Sequence, residues 1–353
     1  MVKDILVINP GSTSTKIAVF RDGTEEFEEN ISHDPNELLP FAYVADQMDY
    51  RRDIIKEVLT KRNYDIKGLS AVVGRGGMII ELKGGGYRVT PKLCKKMASD
   101  ELPQHASSLG ALLAYSIAEP LGVPSYIYDS TMGCEISDVA KITGMAEVEK
   151  YGCCHVLNSR AQAMKYAESI GKKYEDTNLI VCHMGGGVTA NAQKDGKIID
   201  TATYDDGPMA PERSGGVPLI LFKQLCFDGK HTEKDIDELI SGKGGLYSYL
   251  GTTNCIKIEQ RIADGDKKAA LVYEAMAYQI AKSIADMSVA LKGKVDAIIL
   301  TGGVANSKLL TGMIREYAGH IGKIVIMAGE SEMEALAGGA LRMLQGIEIA
   351  REY

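Results

Sequence analysis

The chain has 353 residues, 45% of them apolar and 25% charged, and a formal net charge of −7. That composition belongs to an ordinary globular protein long enough for two domains, and the acidic balance excludes the basic stripe of a nucleic-acid-binding surface. No apolar run reaches the about 18 to 20 residues of a membrane span, no basic segment followed by an apolar one opens the chain as a secretory signal, and seven scattered Cys with six scattered His suit reduced cytoplasmic thiols, not a disulfide frame or zinc site.

The first elements are two short β-branched runs, Ile5 to Ile8 and Ile17 to Phe20, around the turn Gly11-Ser12-Thr13-Ser14-Thr15-Lys16. The spacing predicts a buried hairpin whose turn offers backbone N–H groups, hydroxyls and one cation, the chemistry of a phosphate cradle. Glu25 to Ile31 reads as a third, polar strand, and Leu38 to Arg62 as one helix with Leu39, Val44, Met48, Ile55 and Leu59 on one face. Leu69 to Val73 is a buried strand ending in Gly74-Arg75-Gly76-Gly77, and Gly84-Gly85-Gly86 reads as a wide hairpin loop. Helices are expected from Pro91 and over Leu109 to Leu121. Val123 to Tyr128 is a strand that delivers Asp129-Ser130-Thr131 at its end, and Val156 to Lys173 is a long helix.

The second half restarts the opening theme. Leu179 to Met184 is a strand followed by Gly185-Gly186-Gly187, a polar strand and the corner Asp195-Gly196, which answers Asp22-Gly23. Leu179 stands 174 residues after Ile5, and the same offset matches His183 to Asn9 and Gly185 to Gly11. A repeat at half the chain length implies internal duplication. The fold class is α/β: two duplicated domains with a cleft between them, where a ligand is expected. The domains are expected over 1–157 and 158–334, with the last helix, about 335–353, packing back on the first. Further on come the polar loop around Pro211-Glu212-Arg213-Ser214-Gly215, an apolar helix Leu219 to Phe227, a long helix Lys268 to Leu291, the strand Val295 to Leu300 running into Thr301-Gly302-Gly303, a last strand Ile324 to Met327 and a last helix Glu332 to Leu344. A strand that breaks into Gly-Gly before a helix lets backbone amides approach a nucleotide. No Walker-type P-loop, kinase signature set or dinucleotide fingerprint is present, so phosphate handling falls to the two hairpins.

Taken in order, Asn9-Pro10-Gly11-Ser12, Arg75-Gly76-Gly77, Asp129-Ser130, Val181-Cys182-His183-Met184-Gly185-Gly186-Gly187, Pro211-Glu212-Arg213-Ser214-Gly215 and Leu300-Thr301-Gly302-Gly303 resemble the acetate and butyrate kinase family of the acetokinase, sugar kinase and actin superfamily. The likeness runs from residue 5 to residue 344, and Gln104-His105-Ala106-Ser107 with the short chain places it nearest the butyrate-kinase branch. It implies two actin-like (ribonuclease H-like) domains and reversible transfer of the γ-phosphoryl group of ATP to a short-chain fatty acid, butyrate first. It also implies Mg²⁺, no nucleic acid or membrane partner, and a homo-oligomer based on a dimer.

By the same resemblance Arg75, Asp129, His183, Arg213 and His105 are catalytic. Ser12, Ser14 and Lys16 with Gly185, Gly186, Gly187, Gly302 and Gly303 hold the nucleotide. Asn9 and Glu332 hold the metal, with Glu330 and Glu334 as neighbouring alternatives. Relatives carry Asp and Arg where this chain has Asn254 and Ile256, so altered adenosine contacts are expected there. Acetate, propionate or a branched acid are alternative substrates. A shape-switching ATPase of the actin or chaperone type would share the hairpins but has no use for Arg75 and Arg213.

Overall fold

The computed structural model describes residues 2–353. It holds two compact units, one of residues 1–133 with Ser331–Tyr353 and one of Cys134–Glu330.

In the first unit β1 (Asp4–Pro10), β2 (Ser14–Arg21), β3 (Thr24–Ser32), β4 (Leu69–Arg75), β5 (Gly86–Arg88) and β6 (Ser125–Tyr128) form one sheet. Its order is β3-β2-β1-β4-β6-β5. The first three strands are antiparallel, and β4 and β6 extend the sheet in parallel from β1. Ile5 to Ile8 are wholly buried because helices cover β1 on its faces: Leu109–Ala118 and the C-terminal helix Glu332–Leu344 both pack on β1, β4 and β6. A continuous apolar run is what such a doubly covered strand requires. Gly74 and Gly110 let helix and strand touch: a Cβ at Gly74 would come 2.0 Å from the Gly110 carbonyl oxygen. That close approach lies one residue before Arg75.

The second unit repeats the plan with β7 (Leu179–Met184), β8 (Val188–Lys194), β9 (Lys197–Ala202), β10 (Ala297–Gly302) and β11 (Ile324–Ala328), in the order β11-β10-β7-β8-β9. Read from β9, this is the order β3-β2-β1-β4-β6 of the first unit, with the same two antiparallel and two parallel pairings. The two-residue corners match as well: Asp22 and Gly23 have φ +49° and +86°, and Asp195 and Gly196 have φ +51° and +72°. Both φ values are positive, as the tight turn that suits the right-handed twist of a hairpin demands. The duplication inferred from the 174-residue offset is therefore a duplication of fold.

The units divide between Gly133 and Cys134 and between Glu330 and Ser331, upstream of the boundaries expected at 157/158 and 334/335. The segment after Gly133 pairs with the edge of β9, through Glu135 N–H to Ile198 O and Ser137 N–H to Ile199 O, and Cys154 and Val156 pack on Ile198. The helix expected over Leu38 to Arg62 is broken. A short helix Pro35–Leu38 and a 3₁₀ turn Val44–Gln47 precede the main helix Met48–Lys61. Pro40 has no N–H to donate and disfavours the helical region before it, and Leu39, expected inside, is 78% exposed. Gly86, assigned to a loop, opens β5. The apolar helix Leu219–Cys226 exists but buries none of its residues. Two helices, Gly245–Leu250 and Cys255–Ala263, were not expected; Asn254 caps the second by accepting from Lys257 N–H at 3.1 Å. Among the described residues no helix is long and apolar enough to cross a membrane.

Candidate functional site

Asn9, Arg75 and Glu332 come together in the first unit, and His183 with Gly185, and Arg213 with Gly187, in the second. In the first unit Asn9 lies near the end of β1, Arg75 ends β4, and Glu332 opens the C-terminal helix. Asn9 Nδ2 donates to Glu332 Oε2 at 2.7 Å, and Arg75 reaches Asn9 Oδ1 at 3.3 Å. The Arg75 guanidinium also lies 3.4 Å from the Glu332 carboxylate, with the two side chains 19% and 14% exposed. Arg75 Nε is buried and has no hydrogen-bond partner among the described residues. A guanidinium that keeps a donor unmatched beside a carboxylate and an amide oxygen is suited to an incoming anion. Of the three acids considered, Glu332 is the one that Asn9 holds; Glu334 is exposed.

Asp129 follows β6 at φ +44° and is buried. Its Oδ1 accepts from Gly85 N–H at 2.7 Å while its own N–H donates to Gly85 O at 3.1 Å, a reciprocal clamp on the Gly84–Gly86 turn. His105 precedes the 3₁₀ turn Ala106–Ser108 and is exposed; its Nδ1 accepts from Ser107 N–H at 3.2 Å, which leaves the proton on Nε2. The turn bearing Ser12 and Ser14 is held by Arg51, which donates to the carbonyls of Gly11, Ser12 and Ser14. Lys16, opposite Asn9 in the ladder, pairs with Glu28 of β3 at 3.2 Å. The sheet register thus engages a cation that the sequence presented as a phosphate ligand.

In the second unit His183 is the penultimate residue of β7 and is 2% exposed. Its Nδ1 lies 3.0 Å from Asn158 Oδ1, which also accepts from Thr301 Oγ1 at 3.1 Å, while Asn158 Nδ2 points to Gly329 O. An amide oxygen only accepts, so the Nδ1 proton belongs to His183. The His183 ring stacks on His155 at 3.8 Å with 12° between planes, and His155 Nδ1 meets Thr189 Oγ1 at 2.9 Å. Nε2 of His183 points along the glycine run: a Cβ on Gly185 would stand 3.2 Å from it.

The glycines of that run set bare backbone against polar side chains. A Cβ on Gly186 would meet the Glu212 carboxylate at 3.2 Å, and one on Gly187 would meet the Arg213 guanidinium at 2.5 Å. Arg213 therefore lies across Gly187, with its guanidinium 5.7 Å from the Tyr204 ring, and its Nε too is buried without a partner among the described residues. Gly302, at φ +86°, has room for no Cβ because Met184 O would be 2.4 Å away, and it exchanges backbone hydrogen bonds with Gly329. Gly303 behind it is exposed. The exposed backbone of Gly186 and Gly303, with the His183 imidazole and the Arg213 guanidinium in the same unit, is chemistry that can meet phosphate oxygens.

Arg51, Asn158 and His155 escaped sequence reading. The only trace of the last two was a His and an Asn three positions apart at a helix start, a spacing that puts both on one side.

The Acetokinase family model matches residues 139–326. The chain is 44% identical over 352 residues to a probable butyrate kinase of Listeria monocytogenes, covering 99% of each. It is 43% identical over 351 residues to butyrate kinase 1 of Clostridium acetobutylicum, again covering 99% of each. Among solved structures the acetate kinase of Porphyromonas gingivalis superposes with a TM-score of 0.80 at 20% identity, covering 97% of this chain and 100% of that one, a likeness of fold.

Proposed function

The chain belongs to the acetokinase family, and from that premise we propose that it moves the γ-phosphoryl group of ATP to the carboxylate of a short-chain fatty acid, butyrate before acetate, giving ADP and the acyl phosphate. The full-length likeness to butyrate kinases supports the choice of acid. Within the structure the reading is carried, in each unit by itself, by Arg75 in the first and Arg213 in the second, each with a buried Nε unmatched among the described residues.

A carboxylic acid with a pKa of about 4 to 5 is ionised at neutral pH, so no general base is needed. The carboxylate oxygen bonds to the γ-phosphorus, the bond to the β–γ bridging oxygen breaks, and its electron pair leaves with ADP. What opposes the step is repulsion between anions, and the protein answers it with fixed positive charge and orientation. Arg75 and Arg213 clamp the carboxylate and the moving phosphoryl group. His183, its Nδ1 proton held by Asn158, presents Nε2 to a phosphoryl oxygen. His105 offers Nε2–H to the same anions, and Asp129 anchors the Gly84–Gly86 turn. Ser12, Ser14 and the amides around Gly185, Gly186, Gly187, Gly302 and Gly303 receive the nucleotide; Lys16 reaches a phosphate by giving up Glu28.

Mg²⁺ completes the proposal. Asn9 Oδ1 and the Glu332 carboxylate are oxygen donors of the kind it prefers, and too few for an all-protein cage, which fits an ion that keeps waters and takes phosphate oxygens. When bound it neutralises charge on the outer phosphates. The same reading makes the protein cytoplasmic, supported by seven free thiols, and a homo-oligomer, supported by the exposed apolar side chains of Leu219, Ile220 and Leu221.

The test is to trap the acyl phosphate with hydroxylamine in mixtures of ATP, Mg²⁺ and straight or branched acids from C2 to C6. Product with butyrate at the highest kcat/KM is expected; no hydroxamate from any acid overturns the reading.

A further inference from the structure

Arg51, on the helix Met48–Lys61, is 1% exposed and the largest fully buried side chain of the chain's described residues. Buried arginines are normally matched by a carboxylate. This one is matched by main chain. Nη1 donates to Gly11 O at 2.8 Å, to Ser14 O at 2.9 Å and to Thr15 Oγ1 at 3.1 Å, and Nη2 donates to Ser12 O at 2.9 Å. Gln47 Oε1 fixes the other edge of the fork, accepting from Nε at 3.0 Å and from Nη2 at 2.7 Å. Burial pushes the Arg51 pKa down to about 10, so the side chain is a cation at neutral pH.

These bonds set the direction of the turn. In a trans peptide unit the C=O and the following N–H point opposite ways. With the carbonyls of Gly11 and Ser12 drawn inward to Arg51, the N–H groups of Ser12 and Thr13 face outward, where both side chains are exposed. Gly11 N–H to Ser14 O and His33 N–H to Thr13 O close the turn on its remaining sides, each at 2.8 Å. The result is two outward amides and two hydroxyls over a buried positive charge. Packing alone is served by Met or Leu and needs no planar fork that reaches three carbonyls of one turn.

We propose that Arg51 is a positioning residue for the nucleotide, holding the Gly11–Ser14 turn with its amides turned out to receive the polyphosphate oxygens of ATP. The proposal rests on the kinase reading given above. Arg51 touches no substrate; it acts through the turn, and the seated turn requires the fork and not merely the charge.

The experiment measures the Kd of ADP with Mg²⁺, the KM of ATP and of butyrate, and hydrogen exchange at residues 11–15 in the full chain. Three proteins are compared: wild type, Arg51→Lys, which keeps the charge and loses the fork, and Gln47→Leu, which releases the fork and leaves Arg51 and the turn intact. Expected are an about tenfold weaker ADP and a matching rise in the KM of ATP in Arg51→Lys, a smaller rise in Gln47→Leu, faster exchange in the turn, and an unchanged KM for butyrate. A nucleotide Kd unchanged in both variants overturns the proposal, as does a rise in both KM values in step with lost thermal stability, which marks a purely structural role. A wild-type protein that binds no ADP overturns the kinase reading first, and this inference with it.

Discussion

Asn158 Oδ1 lies 3.0 Å from His183 Nδ1, and this one amide decides which nitrogen of the buried imidazole carries a proton. With Nδ1–H committed to Asn158, the ring is held with Nε2 toward Gly185. Asn158→Leu, which removes the acceptor, is expected to lower kcat about 10- to 100-fold with the KM of ATP changed far less, and Asn158→Asp, which keeps an acceptor at Nδ1, to lose less. Steady-state kinetics on the three proteins check it; an Asn158→Leu enzyme of wild-type kcat would remove Asn158 from the argument.

Arg213 is placed by the bare backbone of Gly187, from which a Cβ would stand 2.5 Å from the guanidinium. The neighbour at risk is the end of a flexible side chain, so Gly187→Ala is expected to leave Tm almost unchanged while moving the arginine. Its kcat falls about 100-fold or more, as for Arg213→Ala, with ATP affinity changed far less. Thermal melts and steady-state kinetics on both variants decide it. A Gly187→Ala enzyme of full activity contradicts the assigned position of Arg213.

Glu332 and not its neighbours holds Asn9. Glu332→Gln is expected to raise the Mg²⁺ concentration for half-maximal activity about tenfold, while the exposed Glu334 changed to Gln leaves it alone. Mg²⁺ titrations at fixed ATP separate the two, and removal of the ion with a chelator abolishes turnover. Equal behaviour of both variants would move the metal elsewhere.

His33 gives a pH dependence of stability. It is 4% exposed, and its Nε2 lies 2.8 Å from Thr15 Oγ1. Burial, with the Arg51 cation adding to it and Glu37 opposing, pushes its pKa down to about 4 from 6.5. Above pH 6.5 both states are neutral and the residue contributes nothing. As pH falls toward 4 the unfolded chain takes up a proton that the folded one refuses, so stability falls across that window by at most about 3 kcal/mol and then levels. Urea unfolding at pH 7, 5.5 and 4.5 should show a shallower decline in His33→Gln than in wild type, and parallel declines would refute the assignment.

Local chemistry made the hairpins legible. Apolar runs of four with Gly-rich or Asp-Gly corners admit few other structures, and their repetition exposed the duplication before any coordinates. The places of Arg75 and His183 at strand ends and of Glu332 at a helix start were legible from the apolar runs that stop or begin there. Arg51 was not, since a lone Arg on an amphipathic helix reads as solvated, and only the fold carries the carbonyls of Gly11, Ser12 and Ser14 to it. The pairing of Lys16 with Glu28 was out of reach in the same way, since it depends on the β2–β3 register, which no local pattern displays. The run Leu219 to Leu221 was apolar enough to look like core and lies exposed, because hydrophobicity marks a surface to be covered without saying by what.

The helix Glu332–Leu344 packs on β1, β4 and β6, and Glu332 meets Asn9 across 323 residues of chain. Synthesis on the ribosome therefore makes β1 well before the helix that covers one of its faces. Until Ser331–Tyr353 emerge, that apolar face of the nascent first unit stays open, although all of Cys134–Glu330 has been made. Completion of the first unit thus waits on the second, and a chain cut before Ser331 leaves one side of β1 uncovered.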